Sequence, residues 1–305
     1  MKTKEMRGIT IISLVVTIII LLILAGLTIT MLTGENGILT QTRLAQKKTK
    51  ISSEKEAIEM AICEVQMSNQ KEATINLDEI KKSIQKYLDT DNITITNNEK
   101  GIANVLVEDS KRVYYIDSNY SVTEYGEFDY LIKNIYDLEE FRKNVNNGND
   151  YMGKSLYMTD DITLKDEWIP IGKYGTNIND SKAFKGIFDG GDHSIYELKI
   201  ENEEEYQGLF GYNCGIIKNL NVVSGKIDVK QRTGSIVGNN EGKIISCNNK
   251  GVQVIGTGVG LGGIAGKNIG IIEDCKNSAD IYSEKGSYIG GIAGAVNSFR
   301  KNNKL

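Results

Sequence analysis

The first hydrophobic feature of the chain is an unbroken apolar block. Residues 9–34, ITIISLVVTIIILLILAGLTITMLTG, contain no charge. A helix over 9–33 would rise roughly 37 Å, against a hydrocarbon core of about 30 Å, so the block predicts one membrane-spanning helix. After a break at "TGENG" the pattern becomes a helical stripe. Leu44, Ile51, Ile58 and Val65 recur every seven residues, Ala61 and Ile62 widen the stripe, and Gln, Lys and Glu fill the other side. This predicts an amphipathic helix, either packed within the chain or lying on its surface. Residues 76–88 (NLDEIKKSIQKYL) predict a short helix capped by Asn76. Alternating β-branched segments around 93–96, 103–107, 113–116 and 121–124, separated by Asn97-Asn98 and the turn at 117–119, predict a small antiparallel meander.

The last third repeats itself. "GLFGYNCGIIKNL" (208–220), "GSIVGNNEGKIISC" (234–247) and "GGIAGKNIGIIEDC" (262–275) share one pattern, and "GGIAGAVN" (290–297) begins a fourth copy. The glycines Gly211, Gly238, Gly266 and Gly294 are 27, 28 and 28 residues apart, and Gly215, Gly242 and Gly270 follow the first three at four residues. Ile217, Ile244 and Ile272 share one position, and Leu220, Cys247 and Cys275 another. A repeat this short cannot bury its apolar face alone, but stacked copies form a continuous core. The pattern therefore predicts an all-β right-handed β-solenoid (a β-helix) of ~28-residue coils, with strands of adjacent coils about 4.8 Å apart. The two isoleucine and cysteine series are expected as inward ladders. Gly211, Gly238, Gly266 and Gly294 are expected at tight corners, and Asn213, Asn240 and Asn268 at stacked turns beside them.

Composition adds an orientation. Lys2, Lys4 and Arg7 precede the apolar block, with Glu5 the one opposing charge, so the positive-inside rule keeps the N-terminus cytoplasmic and exports the chain beyond the block. A cleaved signal peptide is the rival, but its apolar region is normally about 7–15 residues and ends in small residues, which Ala25-Gly26-Leu27 matches poorly. A net charge of −4 gives no reason to expect nucleic acid. Four cysteines are too few for a disulfide scaffold, and a single histidine offers little to a metal.

At "MRGITIISLVVTIIILLILAG" the chain resembles a type IV prepilin leader. That resemblance implies a prepilin peptidase cutting between Gly8 and Ile9, with methylation of the new N-terminus. Most such pilins carry Glu at the fifth mature position; here it is Ser13, which argues against an abundant filament subunit. The repeat region, about 184–297, looks like the GLUG-motif proteins found among bacterial surface and adhesin-like proteins. In that setting the helix at 137–145 (DLEEFRKNV) and "YMTDDITLKDEWIPIG" (157–172) would lead into and cap the stack.

The candidates for chemistry are sparse. Asp160, Asp161, Asp189 and Asp192 suggest a carboxylate pair for glycoside cleavage, but Asp160 and Asp161 are neighbours on a strand and point to opposite faces. His193 has no Ser or Cys partner in a recognisable motif, and "GTGVGLGG" (256–263) lacks the Gly-Lys-Ser/Thr ending of a phosphate loop. Cys247 and Cys275 are read as apolar fillers or as a bond between coils. No catalytic residue, cofactor or metal is assigned.

The resulting expectation is a leader (1–8), a transmembrane helix (9–33), a pilin-like helix and sheet (34–126), an entry and cap region (127–200) and solenoid repeats (201–305). The chain would sit in the cell membrane by a single span in lipid, with its bulk outside the cell, binding a polymer or protein without catalysis. A minor pilin or pseudopilin is the alternative, and a polysaccharide-active β-helix enzyme the third reading.

Overall fold

The computed structural model describes residues 11–33, 37–68, 76–98, 101–175, 180–285 and 288–296; of the first helix, side chains are described at 14–26, 29 and 31. The chain divides into two compact units, Met1–Asp91 with Asn119–Glu124, and Asn92–Ser118 with Tyr125–Leu305.

The first unit is helical: α1 (Ile11–Thr33), α2 (Ile38–Ser68) and α3 (Leu77–Leu88). The described large apolar side chains of α1 lie open, from Leu14 at 52% exposed to Met31 at 71%. A helix apolar on every side has no side suited to water. The continuous stretch with described side chains, 14–26, rises about 20 Å, and among the described residues no helix is long and apolar enough to cross a membrane. In α2 the stripe residues Ala57, Ile58, Ala61, Ile62 and Val65 are buried, as are Ile80 and Ile84 of α3, the helix that packs on α2. Glu64 ties the pair, accepting from Ser83 Oγ and, at 2.9 Å, from Lys86 Nζ. The upper stripe is open: Leu44 is exposed and Ile51 half-buried. The reason is length, because the 12 residues of α3 reach about 18 Å along a partner of about 46 Å.

The second unit begins with a meander of β1 (Ile93–Asn97), β2 (Ala103–Val107) and β3 (Arg112–Ile116). Its first pairs are antiparallel, with Ile95 opposite Val105 and Val105 opposite Tyr114. β1–β3 belong to the same unit as the coils, and Leu106 and Val113 share an apolar cluster with Phe128 and Tyr157.

The rest of the unit is a β-solenoid of about six turns. One parallel sheet runs through Tyr130–Ile132, Ser155–Met158, Ile187–Asp189, Ile216–Lys218, Lys243–Ile245 and Ile271–Glu273. Its central ladder is Tyr130, Leu156, Phe188, Ile217, Ile244 and Ile272, each opposite the next. The four middle members are buried, while Tyr130 is exposed and Ile272 half-buried. Further parallel sheets of five, four, four and three strands complete the coil walls.

The parallel stack starts at Tyr130, and the described residues of the expected entry and cap region, 127–200, form its first coils. They escape the repeat pattern because bulky residues replace its small ones, and because the helix α4 (Ile135–Asn146) interrupts the first coil. Asn134 caps α4, accepting from the N–H of Tyr136 and Asp137. The helix buries Leu138, Phe141 and Val145. Phe141 meets Phe184 at 5.4 Å between ring centroids, Phe188 at 5.7 Å and Phe210 at 6.3 Å, closing the first end of the core with aromatic surface.

Candidate functional site

The repeat glycines shape the solenoid flank, though not as corners. Gly211, Gly238, Gly266 and Gly294 lie inside the strands Phe210–Asn213, Val237–Asn240, Ala265–Asn268 and Ala293–Val296, and none has a positive φ. A Cβ at Gly238 would stand 2.1 Å from the Tyr206 backbone, at Gly266 2.2 Å from Arg232, at Gly294 2.3 Å from Gly260 and at Gly211 2.3 Å from Gly172 O. Their role is close approach: they admit a second backbone segment against the strand.

The stacked corner belongs to the other glycines. A Cβ on Gly215 would lie 2.2 Å from Gly186 O, one on Gly242 2.0 Å from Gly215 O and one on Gly270 2.0 Å from Gly242 O. Beside this column runs a buried amide ladder. Asn213 Nδ2 donates to Asn240 Oδ1 at 2.8 Å, and Asn240 Nδ2 to Asn268 Oδ1 at 2.7 Å. Asn213 Oδ1 also accepts the Gly215 N–H at 3.0 Å. A second ladder, Asn248 to Asn221 at 2.9 Å, went unread in the sequence, although both follow the repeat by the same offset.

Because the glycine column carries no side chains, a groove of about 460 Å³ opens over it, crossing four coils at Gly186, Gly215, Gly242 and Gly270. Ile187, Ile216, Lys243 and Ile271 share one register position along the groove, and Lys185, Cys214 and Glu241 also line it. The floor carbonyls of Gly186, Gly215 and Gly242 already accept from Ile216, Lys243 and Ile271, so the groove offers shape and apolar contact. Lys185 is held by Asp150 at 2.9 Å. That carboxylate, bonded by the ammonium, lies below the usual range.

A cleft of about 680 Å³ lies nearer the first end, lined in part by Trp168, Pro170, Tyr174, Glu204, Tyr206 and Gln207. Tyr174 packs on Tyr206 at 4.5 Å and Tyr212 at 5.0 Å, with Arg232 over Tyr206 and Lys267 over Tyr174. Burial pushes the Tyr206 and Tyr212 phenols up. Trp168 is committed to the wall, its indole N–H donating to Leu209 O at 3.0 Å.

The candidate acids are drawn into separate structural bonds. Asp189 is fully buried; it accepts from Tyr125 Oη at 2.7 Å, Asn219 Nδ2 at 3.0 Å and the Gly191 N–H at 3.1 Å, and pairs with Lys218 at 3.0 Å. Asp161 accepts the Ser194 N–H at 2.8 Å and faces His193 Nδ1 at 3.4 Å. Asp160 accepts the Asp161 N–H, and Asp192 takes a positive φ in the turn. His193 Nε2 is buried against a cavity of about 10 Å³ beside Thr94, Thr96 and Thr159, which is space for one water. Among the described residues no three His, Cys, Asp or Glu side chains gather as metal ligands. The loop at 256–263 joins Val252–Gly256 to Leu261–Gly262 and opens no helix.

Of the inward positions, Ile217, Leu220, Ile244 and Cys247 have no exposed surface, while Ile272 and Cys275, in the last described coil, are partly buried. The Gly8–Ile9 junction lies outside the described residues.

No family model matches the chain, and no curated protein does. Among solved structures, that of a candidate immunoglobulin A1 protease from Bacteroides ovatus is similar: 21% identity, a TM-score of 0.42, and coverage of 55% of this chain and 62% of that one. The chain thus spans less than two thirds of that protein's length.

Proposed function

We propose that this chain is a membrane-anchored surface protein whose β-solenoid, displayed outside the cell, binds an extended polymer or protein along its flank without catalysing a reaction. The observation that carries the reading is the glycine-floored groove, whose backbone floor repeats in four successive coils and whose wall position is isoleucine in three of them and Lys243 in the other. One rung recurs about every 4.8 Å, a spacing suited to a ligand that is itself extended. The anchor is α1. The support for it lies in the sequence, where residues 9–34 carry no charge and a helix over 9–33 would rise roughly 37 Å against a hydrocarbon core of about 30 Å. The Lys2, Lys4 and Arg7 cluster before it favours export of the remainder. A minor pilin is the second reading, favoured by the order of α2, α3 and the antiparallel meander.

The test is retention of the full chain on a panel of insoluble plant and bacterial glycans and fibrous proteins, with released sugars and peptides assayed in parallel. Retention on at least one polymer is expected, with no release of fragments. The double substitution Ile187→Glu and Ile271→Glu, at two exposed groove residues, should weaken it at least tenfold at an unchanged melting temperature. Retention unaffected by that variant, absence of retention on every polymer, or steady fragment release would each overturn the proposal.

A further inference from the structure

One repeat position changes character along the stack: Leu220 in one coil becomes Cys247 in the next and Cys275 in the one after. The strands that follow, Asn248–Asn249 and Lys276–Asn277, pair in parallel with Asn248 opposite Lys276. The two cysteines immediately before them are therefore one rung apart. A rung is about 4.8 Å, inside the roughly 4.4–6.8 Å that the Cα atoms of a disulfide span. Both follow a residue in the left-handed region, Ser246 at φ 51° and Asp274 at φ 50°, so the chain presents them alike. Cys275 Sγ accepts the Cys247 N–H at 3.4 Å, which holds that sulfur against the neighbouring coil's cysteine. Cys247 is buried, whereas Cys275 is only partly so and can be reached from outside.

We propose that Cys247 and Cys275 are an oxidation site, closing to a disulfide that locks the last described coil onto the one before it. The oxidant is a small disulfide, R–S–S–R. Cys275, the accessible thiol and the one whose pKa the hydrogen bond from Cys247 lowers, attacks first as thiolate. It forms a mixed disulfide with R and releases RS⁻. Cys247 then loses its proton and attacks the Cys275 sulfur, expelling the second RS⁻. Two protein thiols are oxidised, R–S–S–R is reduced to two RSH, and the protons go with the leaving thiols. The location gives the bond a purpose. Ile272 and Ile292 of the last described coil are only partly buried, whereas Ile244 and Ile264, one coil earlier, are fully so. A covalent rung that closes a loop one coil long restrains the part of the stack that apolar burial holds least.

The experiment takes the full chain, purified reduced in detergent, and incubates it with oxidised glutathione before proteolysis, mass analysis and thermal melting. The expected result is one cross-linked peptide pair joining 247 to 275 and lacking two hydrogen atoms, while Cys63 takes up only glutathione. The melting temperature of the solenoid should rise by several degrees and return with dithiothreitol. Cys275→Ser and, independently, Cys247→Ala should abolish both effects, and Cys63→Ser neither. A glutathione adduct that persists on Cys275 beside a free Cys247 would overturn the proposal, as would cross-linking to Cys63 or Cys214, or a 247–275 bond that leaves the melting temperature unchanged.

Discussion

Ile244 sits between Ile217 and Ile272 in the six-stranded sheet and has no exposed surface. A carboxylate there would leave water without gaining a partner, so Ile244→Asp is expected to unfold the coils or destabilise them by several kcal/mol, on the order of an unpaired buried charge. Urea unfolding followed by circular dichroism checks this, and an unchanged midpoint would contradict the buried placement. Such ladder residues were legible in the sequence because a recurring isoleucine has one common use, in a core. Glycine has several, and spacing alone did not separate them: Gly211 and Gly238 admit a crossing backbone inside a strand, whereas Gly215 and Gly242 form the stacked column. The amides divide in the same way. Asn213 and Asn240 stood beside glycines and invited a turn reading, while Asn221 and Asn248 stood beside none and were missed.

Among the elements, α4 has the most to do in a small space. Phe141 touches the rings of Tyr151, Phe184, Phe188 and Phe210, which belong to the opening coils of the stack. A solenoid needs its ends covered, and truncating a buried ring of this kind costs about 3–5 kcal/mol. Phe141→Ala is therefore expected to lower the unfolding free energy by that amount and to raise amide hydrogen exchange in Ser155–Met158 and Ile187–Asp189 before it does so in Lys243–Ile245. Uniform exchange along the stack would mean that α4 is not a cap. The helix itself was read at 137–145, without the cap that Asn134 supplies. The coils around it were not, because Leu156, Phe188 and Trp168 fill their interiors with residues larger than the repeat allows. The stripe on α2 shows the converse: its period was correct, but only partner length decides that Ile58 and Val65 are covered while Leu44 is open.

At the scale of the whole molecule, the two properties that matter are an uncharged helix near the N-terminus and a stack of about six coils with a glycine column along its flank. The coil stack follows from a spacing in which each glycine, asparagine and isoleucine recurs with its neighbours. The proposal of display outside the cell rests on charge placement before α1 and on the apolar length of the block at 9–34. The two are joined in one claim, that the chain is anchored by α1 and carries its solenoid on the export side. Protease added to intact, wall-stripped cells tests it most directly. The account predicts loss of the repeat domain and survival of a membrane-protected fragment containing α1; full protection of the repeats, with digestion only after the membrane is opened, would contradict it.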